Sequence, residues 1–432
     1  MRRLWTEIGV TSAAKIYSLV LGIVSLIVTA RWLGPAGRGD LVTVTTWVGL
    51  FTTFGSLSLG QIALHRATSL RGEAWLASTM GSLLSIAGVI TAASWSVVAF
   101  LFVFSHGAVF HGLSPALLAI GFAALPLMIW EQYGSSLLTA LDRLRIYNNA
   151  QMVGRTVGFV LVVVLIRGFH QGVGGVLIAM LLGQFTVSCA GLRYMFSQAV
   201  DRVRPDMGTV REMIQSGLKL HLNAIGTFLY MSTDILLINR YRGAAETGQY
   251  QMAVQMGSVL LMIPQAASMV LFGRVAQFGP DGVWLQQRKI LLWVTLAVAG
   301  IAAVSGIIAP WMIPFVVGKA FTRSVGVFQL LLVGLVGMTF TTMMGPQWIG
   351  RGLFWQASAV TLIGGFLNLI ANCIVVPRYG MYGSVAATLA TYAFSIMVNL
   401  GMALWVERTV RARRRIAVVE SPVQPADAIS YQ

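Results

Sequence analysis

Five ionisable side chains, Lys15, Glu131, Arg155, Lys219 and Asp234, fall inside stretches otherwise apolar enough to cross a membrane. A charge in that position costs about 2.5–3.5 kcal/mol on insertion scales, so each needs a polar partner or a water-filled space beside it. Their spacing sorts them. Thr11, Lys15, Ser18, Gly22, Ser25 and Thr29 follow one another at intervals of three and four residues, as do Lys219, Asn223, Thr227, Tyr230 and Asp234. At about 100° per residue, such intervals keep every member on one helical stripe. Two readings of these stripes stand side by side. Small polar residues join helices in any bundle, whereas Lys15 and Asp234 exceed what packing requires and point to an aqueous cavity.

Arg155 and Lys219 both lie just inside the cytoplasmic ends of apolar runs, where long side chains could simply snorkel to the interface. If they face inward instead, Lys15, Arg155 and Lys219 set three cations at comparable depth. That suits a phosphate or diphosphate group held by charge-assisted hydrogen bonds, with Asn223 and Asp234 on the same cavity face. Glu131, between Trp130 and Gln132, is either the ion-pair partner of a basic residue or a titrating group. Glu131 and Asp234 are therefore the candidate coupling groups. His221 lies off the stripe and reads as a packed histidine; His65, His106, His111 and His170 are in loops without metal-ligand spacing. Cys189 and Cys373 fall inside spans as small packing residues. The chain contains no GxxxxGK[ST], HExxH, CxxC or GxSxG pattern, so no catalytic residue, metal or cofactor is expected.

The elements that must position these residues follow from composition. Hydrophobic residues make up 56% of the 432 and charged residues only 10%, which a soluble surface could not accommodate. The expected fold is an all-α polytopic membrane protein. Apolar runs of about 20 residues occur near 8–30, 41–64, 76–104, 114–140, 150–166 and 172–196 in the first half. The second half gives 213–239, 250–273, 289–316, 325–348, 354–376 and 381–406. These divide the chain into a six-helix lobe (1–200), a linker (201–212), a second six-helix lobe (213–407) and a basic tail (408–432) expected to be disordered. Arginine and lysine crowd one set of ends and loops, including Arg2, Arg3, Arg143, Arg145, Arg202, Arg204 and Arg408, so both termini are expected in the cytoplasm. Arg31, Arg38 and Arg240 fall on the sparser, opposite face. Much of the net charge of +16 is then topology. Arg411, Arg413, Arg414 and Arg415 would rest on anionic headgroups, and no nucleic-acid partner is implied.

The two halves also match each other. Arg31-Trp32-Leu33-Gly34-Pro35-Ala36-Gly37-Arg38-Gly39 recurs 209 residues on as Arg240-Tyr241-Arg242-Gly243-Ala244-Ala245-Glu246-Thr247-Gly248. Arg143, Tyr147 and Asn148 against Arg351, Trp355 and Gln356 form a second echo, and Gly172, Gly175 and Ala179 against Gly380, Gly383 and Ala387 a third, both at 208. Sequential repeats in a membrane protein pack around a pseudo-two-fold axis with the substrate path between them, which implies a carrier. Gly34 and Gly243 would permit tight turns at the outer ends, with Arg31 and Arg240 as interface anchors or parts of an outer gate.

On these residues, with Leu141-Asp142-Arg143-Leu144-Arg145, Thr247-Gly248-Gln249-Tyr250 and Pro377-Arg378-Tyr379-Gly380, the chain resembles polysaccharide or O-antigen flippases. These belong to the multidrug/oligosaccharidyl-lipid/polysaccharide exporter superfamily, and the resemblance covers the chain to about residue 406. It implies a MATE-like pair of lobes around a V-shaped cavity. It also implies alternating access that moves a polyprenyl-diphosphate-linked oligosaccharide across a bacterial cytoplasmic membrane. Membrane lipids, a glycan polymerase and glycosyltransferases would then be partners. Lys15 is similar in position to a basic cavity residue of lipid II flippases, with lysine for arginine. The alternatives are a cation-coupled multidrug exporter, whose cavity should be acidic, and a membrane glycan polymerase or ligase, which should carry large outer loops.

Overall fold

The computed structural model describes the backbone of residues 2–69, 75–105, 108–199 and 201–420, and side chains at Ala14 and over 16–67, 75–105, 108–199 and 201–409. The described residues form α-helices and no strand. In order they are α1 (Arg2–Ser56), α2 (Leu59–Ser69), α3 (Trp75–Phe104), α4 (Pro115–Ala123), α5 (Leu125–Ala140) and α6 (Leu144–Val163). There follow α7 (Gly172–Gln198), α8 (Met207–Arg242), α9 (Ala244–Ser258), α10 (Met262–Val317), α11 (Ser324–Gly350) and α12 (Phe354–Glu420). Among the described residues, eight stretches are long and apolar enough to cross a membrane.

The spans expected are not all separated by loops. Ile16–Ser56, Met262–Val317 and Phe354–Thr409 run for 41, 56 and 56 residues, twice or more what one crossing needs. Each turns at a single glycine of positive φ: Gly34, Gly279 and Gly380. The loops expected at 31–40 and 377–380 are therefore helix up to one residue. Polar side chains do not end a helix, whereas a left-handed glycine does, and Pro35 and Pro280 start the next helix at the position proline favours. Conversely, the run expected at 114–140 breaks between α4 and α5, and that at 250–273 breaks between α9 and α10.

The internal repeat is written into the backbone. Gly34 (φ 64, ψ −176) and Gly243 (φ 83, ψ 175) adopt nearly one conformation 209 residues apart. Gly172 and Gly380, 208 apart, sit at φ 51 and φ 58. Residues with a Cβ avoid this region, so the pairing reflects a common turn. The largest buried apolar cluster joins Leu41 through Met213, and a second joins Ile238 through Val385 together with Ala30. The first half of α1 thus leans on the second cluster and ties the halves together.

The connection between the halves is not a free tether. α8 begins at Met207, inside the segment expected as linker, and Asp206 caps it by accepting from the Thr209 amide at 2.8 Å and hydroxyl at 2.6 Å. Those hydrogen bonds, the hydroxyl's first, hold the Asp206 carboxyl below its ordinary range. Arg66 of α2 reaches Glu212 at 2.5 Å and Thr209 at 2.9 Å, and the backbone at Arg204 lies where a Cβ on Gly81 would have to be.

Candidate functional site: a polar cavity in the first half

The polar stripe of α1 opens onto a cavity of about 350 Å³, bordered by Gly22, Ser25 and Thr29 and, beyond the Gly34 turn, by Arg38. Glu131 of α5, Gln151 and Arg155 of α6, Gln184 of α7 and Gln255 of α9 complete its polar lining. Gln255 comes from the second half of the chain, so both repeats contribute.

Glu131 organises one wall. Its Oε1 accepts from the Tyr147 hydroxyl at 2.8 Å and from Gln151 Nε2, and its Oε2 accepts from Gln184 Nε2 at 2.5 Å. Gln151 Oε1 in turn accepts from Arg155 Nε at 3.1 Å, and an Arg155 Nη donates to the Ser18 carbonyl at 3.3 Å. Among the described residues Glu131 makes no direct ion pair, since Arg155 reaches it only through Gln151. The cavity therefore holds, among the described residues, two guanidinium groups and one carboxylate whose oxygens accept from neutral donors. That leaves it electropositive, suited to an anion carrying several oxygen acceptors.

The predicted residues divide. Arg155 borders this cavity, while the side chain of Lys15 lies outside the described residues, although its stripe partners Gly22, Ser25 and Thr29 line the space. Lys219 and Asn223 are exposed on α8 and do not border it. Further along α8, Thr227 and Tyr230 face a second space of about 290 Å³, shared with Met338 and Thr341 of α11 and with Thr361, Ser395 and Asn399 of α12. Corresponding helices thus line a cavity in each half, and Arg155 and Lys219 do not meet in one trap. Asp234 leaves the lumen altogether. It is 6% exposed and accepts from the Tyr250 hydroxyl and from the Ile235 amide at 2.8 Å. Its stripe is not parallel to the helix axis: the 15 residues from Lys219 overshoot four turns by about 60°, enough to rotate Asp234 into the second core. His221 packs as expected, with Nδ1 3.3 Å from the Ser58 hydroxyl.

The paired turns meet each other. A Cβ on Gly39 would lie 1.7 Å from the Ala244 carbonyl oxygen, and one on Gly248 would lie 2.0 Å from that of Pro35. Both the glycines and the carbonyl residues are 209 apart, so the contact is two-fold symmetric in sequence as in space. The arginines flanking it are not equivalent. Arg31 donates through Nε to the Val316 carbonyl at 2.8 Å and through Nη2 to that of Phe315, linking α1 to the end of α10. Arg240 instead lies over the Tyr241 ring, 5.8 Å from its centroid.

Sequence reasoning missed Arg38, which it assigned to an outer loop, and the amides Gln151, Gln184 and Gln255. Arg38 is 8% exposed; its Nη1 donates to the Thr29 hydroxyl at 3.0 Å and its Nη2 to Gln255 Oε1 at 2.8 Å. Pro35 was the available signal, because proline at a first helical position places Arg38 on the first turn rather than in a loop.

Comparison with known proteins agrees with this architecture. The chain superposes on a structure of the lipid II flippase MurJ in an inward closed conformation with a TM-score of 0.76, at 12% identity, over 91% of this chain and 87% of that one. On an inward-facing multidrug resistance MATE family transporter of the MOP superfamily the TM-score is 0.67, at 17% identity, over 93% of this chain and 99% of the other. At these identities the likeness is one of fold. In sequence, 204 residues are 22% identical to a probable low-salt glycan biosynthesis flippase, Agl15, of Haloferax volcanii; they span 45% of this chain and 42% of that relative. The family described as polysaccharide biosynthesis protein matches residues 4–278, more than half of the 432, and the chain is therefore a multi-pass membrane protein belonging to that family.

Proposed function

We propose that this protein is a flippase that carries a polyprenyl-diphosphate-linked oligosaccharide from the inner to the outer leaflet of a bacterial cytoplasmic membrane by alternating access. The observation that carries the reading is the polar cavity of the first half, to which Gln255 of the second half also contributes. Arg38, Arg155 and three glutamines surround a space large enough for a headgroup, with Glu131 the single carboxylate among the described residues, in a chain of a polysaccharide biosynthesis family. A cavity built for organic cations would have the opposite balance. The glycan flippase and lipid II flippase among its relatives support a lipid-linked glycan as cargo. In this reading residues 1–200 and 213–407 are the two lobes and both termini are cytoplasmic. Lys15, Lys219 and Asn223 meet the substrate on the cytoplasmic side, and Glu131 and Asp234 couple movement to an ion. The surrounding lipids, a glycan polymerase and glycosyltransferases are its partners.

Complementation of a strain lacking its lipid-linked-glycan flippase tests the proposal. Expression of the chain should restore surface glycan, and Arg155→Ala should reduce it severalfold at unchanged protein abundance while lipid-linked precursor accumulates. Absence of rescue, with gained resistance to cationic drugs, would return the assignment to a multidrug exporter. Full rescue by the Lys15→Ala, Lys219→Ala double variant would remove those lysines from the substrate route. Orientation is checked separately. Cysteine at Ala36 or Ala245, both exposed, should react with a membrane-impermeant thiol reagent in intact cells, and cysteine at Arg204 should not.

A further inference from the structure

Arg38 is a buried cation whose partners among the described residues are all neutral. Its Nη1 and Nη2 bond to the Thr29 hydroxyl and the Gln255 amide oxygen, and its Nε, also buried, has no partner. The position is costly twice over. A buried guanidinium without an anion is poorly compensated, and a cation on the first turn after Pro35 opposes the helix dipole. The related position in the other repeat, 209 residues on, is the buried Thr247, so symmetry does not demand an arginine here.

Nε and Nη2 present their N–H groups along one edge of the guanidinium, the edge that binds two oxygens of a carboxylate or phosphate side by side. In this structure that edge is half used: Nη2 is tied to Gln255 across the boundary between the halves, and Nε is empty. Arg38 and Gln255 are both among the residues that line the cavity, while Nε itself is buried. The next residue, Gly39, makes the backbone contact with Ala244 that closes the paired turns.

From these relations we infer that Arg38 and Gln255 form a latch between the two halves that an incoming diphosphate group opens. The inference rests on the carrier reading above. Two phosphate oxygens take the Nε–Nη2 edge, because a phosphate brings a net negative charge and two acceptors to the fork where Gln255 brings one neutral oxygen. The Arg38–Gln255 bond is lost in the exchange. Release at Arg38 frees the adjoining contact of Gly39 with Ala244, so occupancy of the cavity favours parting of the turns. Tight binding alone would move no equilibrium; displacement of Gln255 is what makes the anion prefer the parted state.

The test uses purified full-length protein with Cys189→Ala and Cys373→Ala, spin-labelled through cysteines at Ala36 and Ala245, and inorganic pyrophosphate as probe against chloride of matched ionic strength. Pyrophosphate should lengthen the distance between the labels. Arg38→Gln should abolish the response or shift its midpoint by about tenfold or more, the loss expected for one charge-assisted bond. Arg38→Lys, which keeps the charge and loses the two-pronged edge, should respond weakly. Gln255→Leu should lengthen the distance before any probe is added and still bind pyrophosphate, a result that a merely structural role for Arg38 would not produce. An Arg38→Gln protein that responds like the parent overturns the latch. So does a parent that does not respond at all, or a Gln255→Leu protein whose resting distance is unchanged. Failure of the unmodified chain to complement a flippase-null strain would instead count against the carrier reading.

Discussion

Gly39→Val should abolish surface glycan export while protein abundance stays near that of the parent, and Gly248→Val should do the same. The added Cβ alone would stand 1.7 Å from the Ala244 carbonyl oxygen in one case and 2.0 Å from that of Pro35 in the other. Neither obstacle is a side chain that could swing away; both are backbone. Overpacking of this kind costs about 1–3 kcal/mol. A rigid contact would take that loss as instability. A contact that parts during the working cycle escapes it by staying parted, and the same energy biases the two states by about 5- to 150-fold. The spin-label pair at Ala36 and Ala245 should therefore report a longer distance in both variants without any ligand. Normal export, or loss of the folded protein in place of a changed distance, would show that the paired turns are not a moving closure. The two variants should resemble each other, because each glycine meets the carbonyl related by the repeat to the one its partner meets.

Glu131→Leu should lower thermal stability in detergent and abolish export. Tyr147, Gln151 and Gln184 all donate to this one carboxylate, and an apolar replacement leaves half-buried donors with no acceptor. Each such loss costs about 1–3 kcal/mol, reduced where cavity water can substitute. Arg155 would lose one of its two tethers as well, keeping the Ser18 carbonyl, since Gln151 holds it only while Glu131 holds Gln151. Glu131→Gln makes the informative contrast. Its single oxygen can still accept from Tyr147 and Gln151, and rotation of the Gln184 amide offers an oxygen to the new N–H group, so the wall should survive with nearly the parent's stability. If export then persists unchanged, the charge of Glu131 does no coupling and its role is positional. If export fails with the wall intact, coupling is the remaining role. Melting curves by intrinsic fluorescence, read beside complementation, separate the two.

The linear sequence determined those features that depend on composition and on order along the chain. An apolar excess gathered in runs of about 20 residues points to a membrane bundle of helices, because each helix satisfies its own backbone groups in lipid. Repeated glycines at a fixed offset survive as repeated turns, because Gly34 and Gly243 hold a conformation that residues with a Cβ avoid. Arg155 could be named because a cation within an apolar run is conspicuous wherever it points. Tertiary structure decided what depends on which turn a helix takes and what lies across from it. Asp234 shares its stripe with Lys219, yet a drift of about 60° over the intervening turns carries it into the second core against Tyr250. Arg38 reads as a loop arginine until Pro35 restarts the helix and brings it opposite Gln255, 217 residues away in sequence. The glutamines of the cavity wall carry no charge to mark them, and only convergence of α5, α6 and α7 on Glu131 gives them a role. Helical periodicity fixes a face to within one or two turns; over longer spans the accumulated rotation, and the neighbour waiting there, belong to the packing.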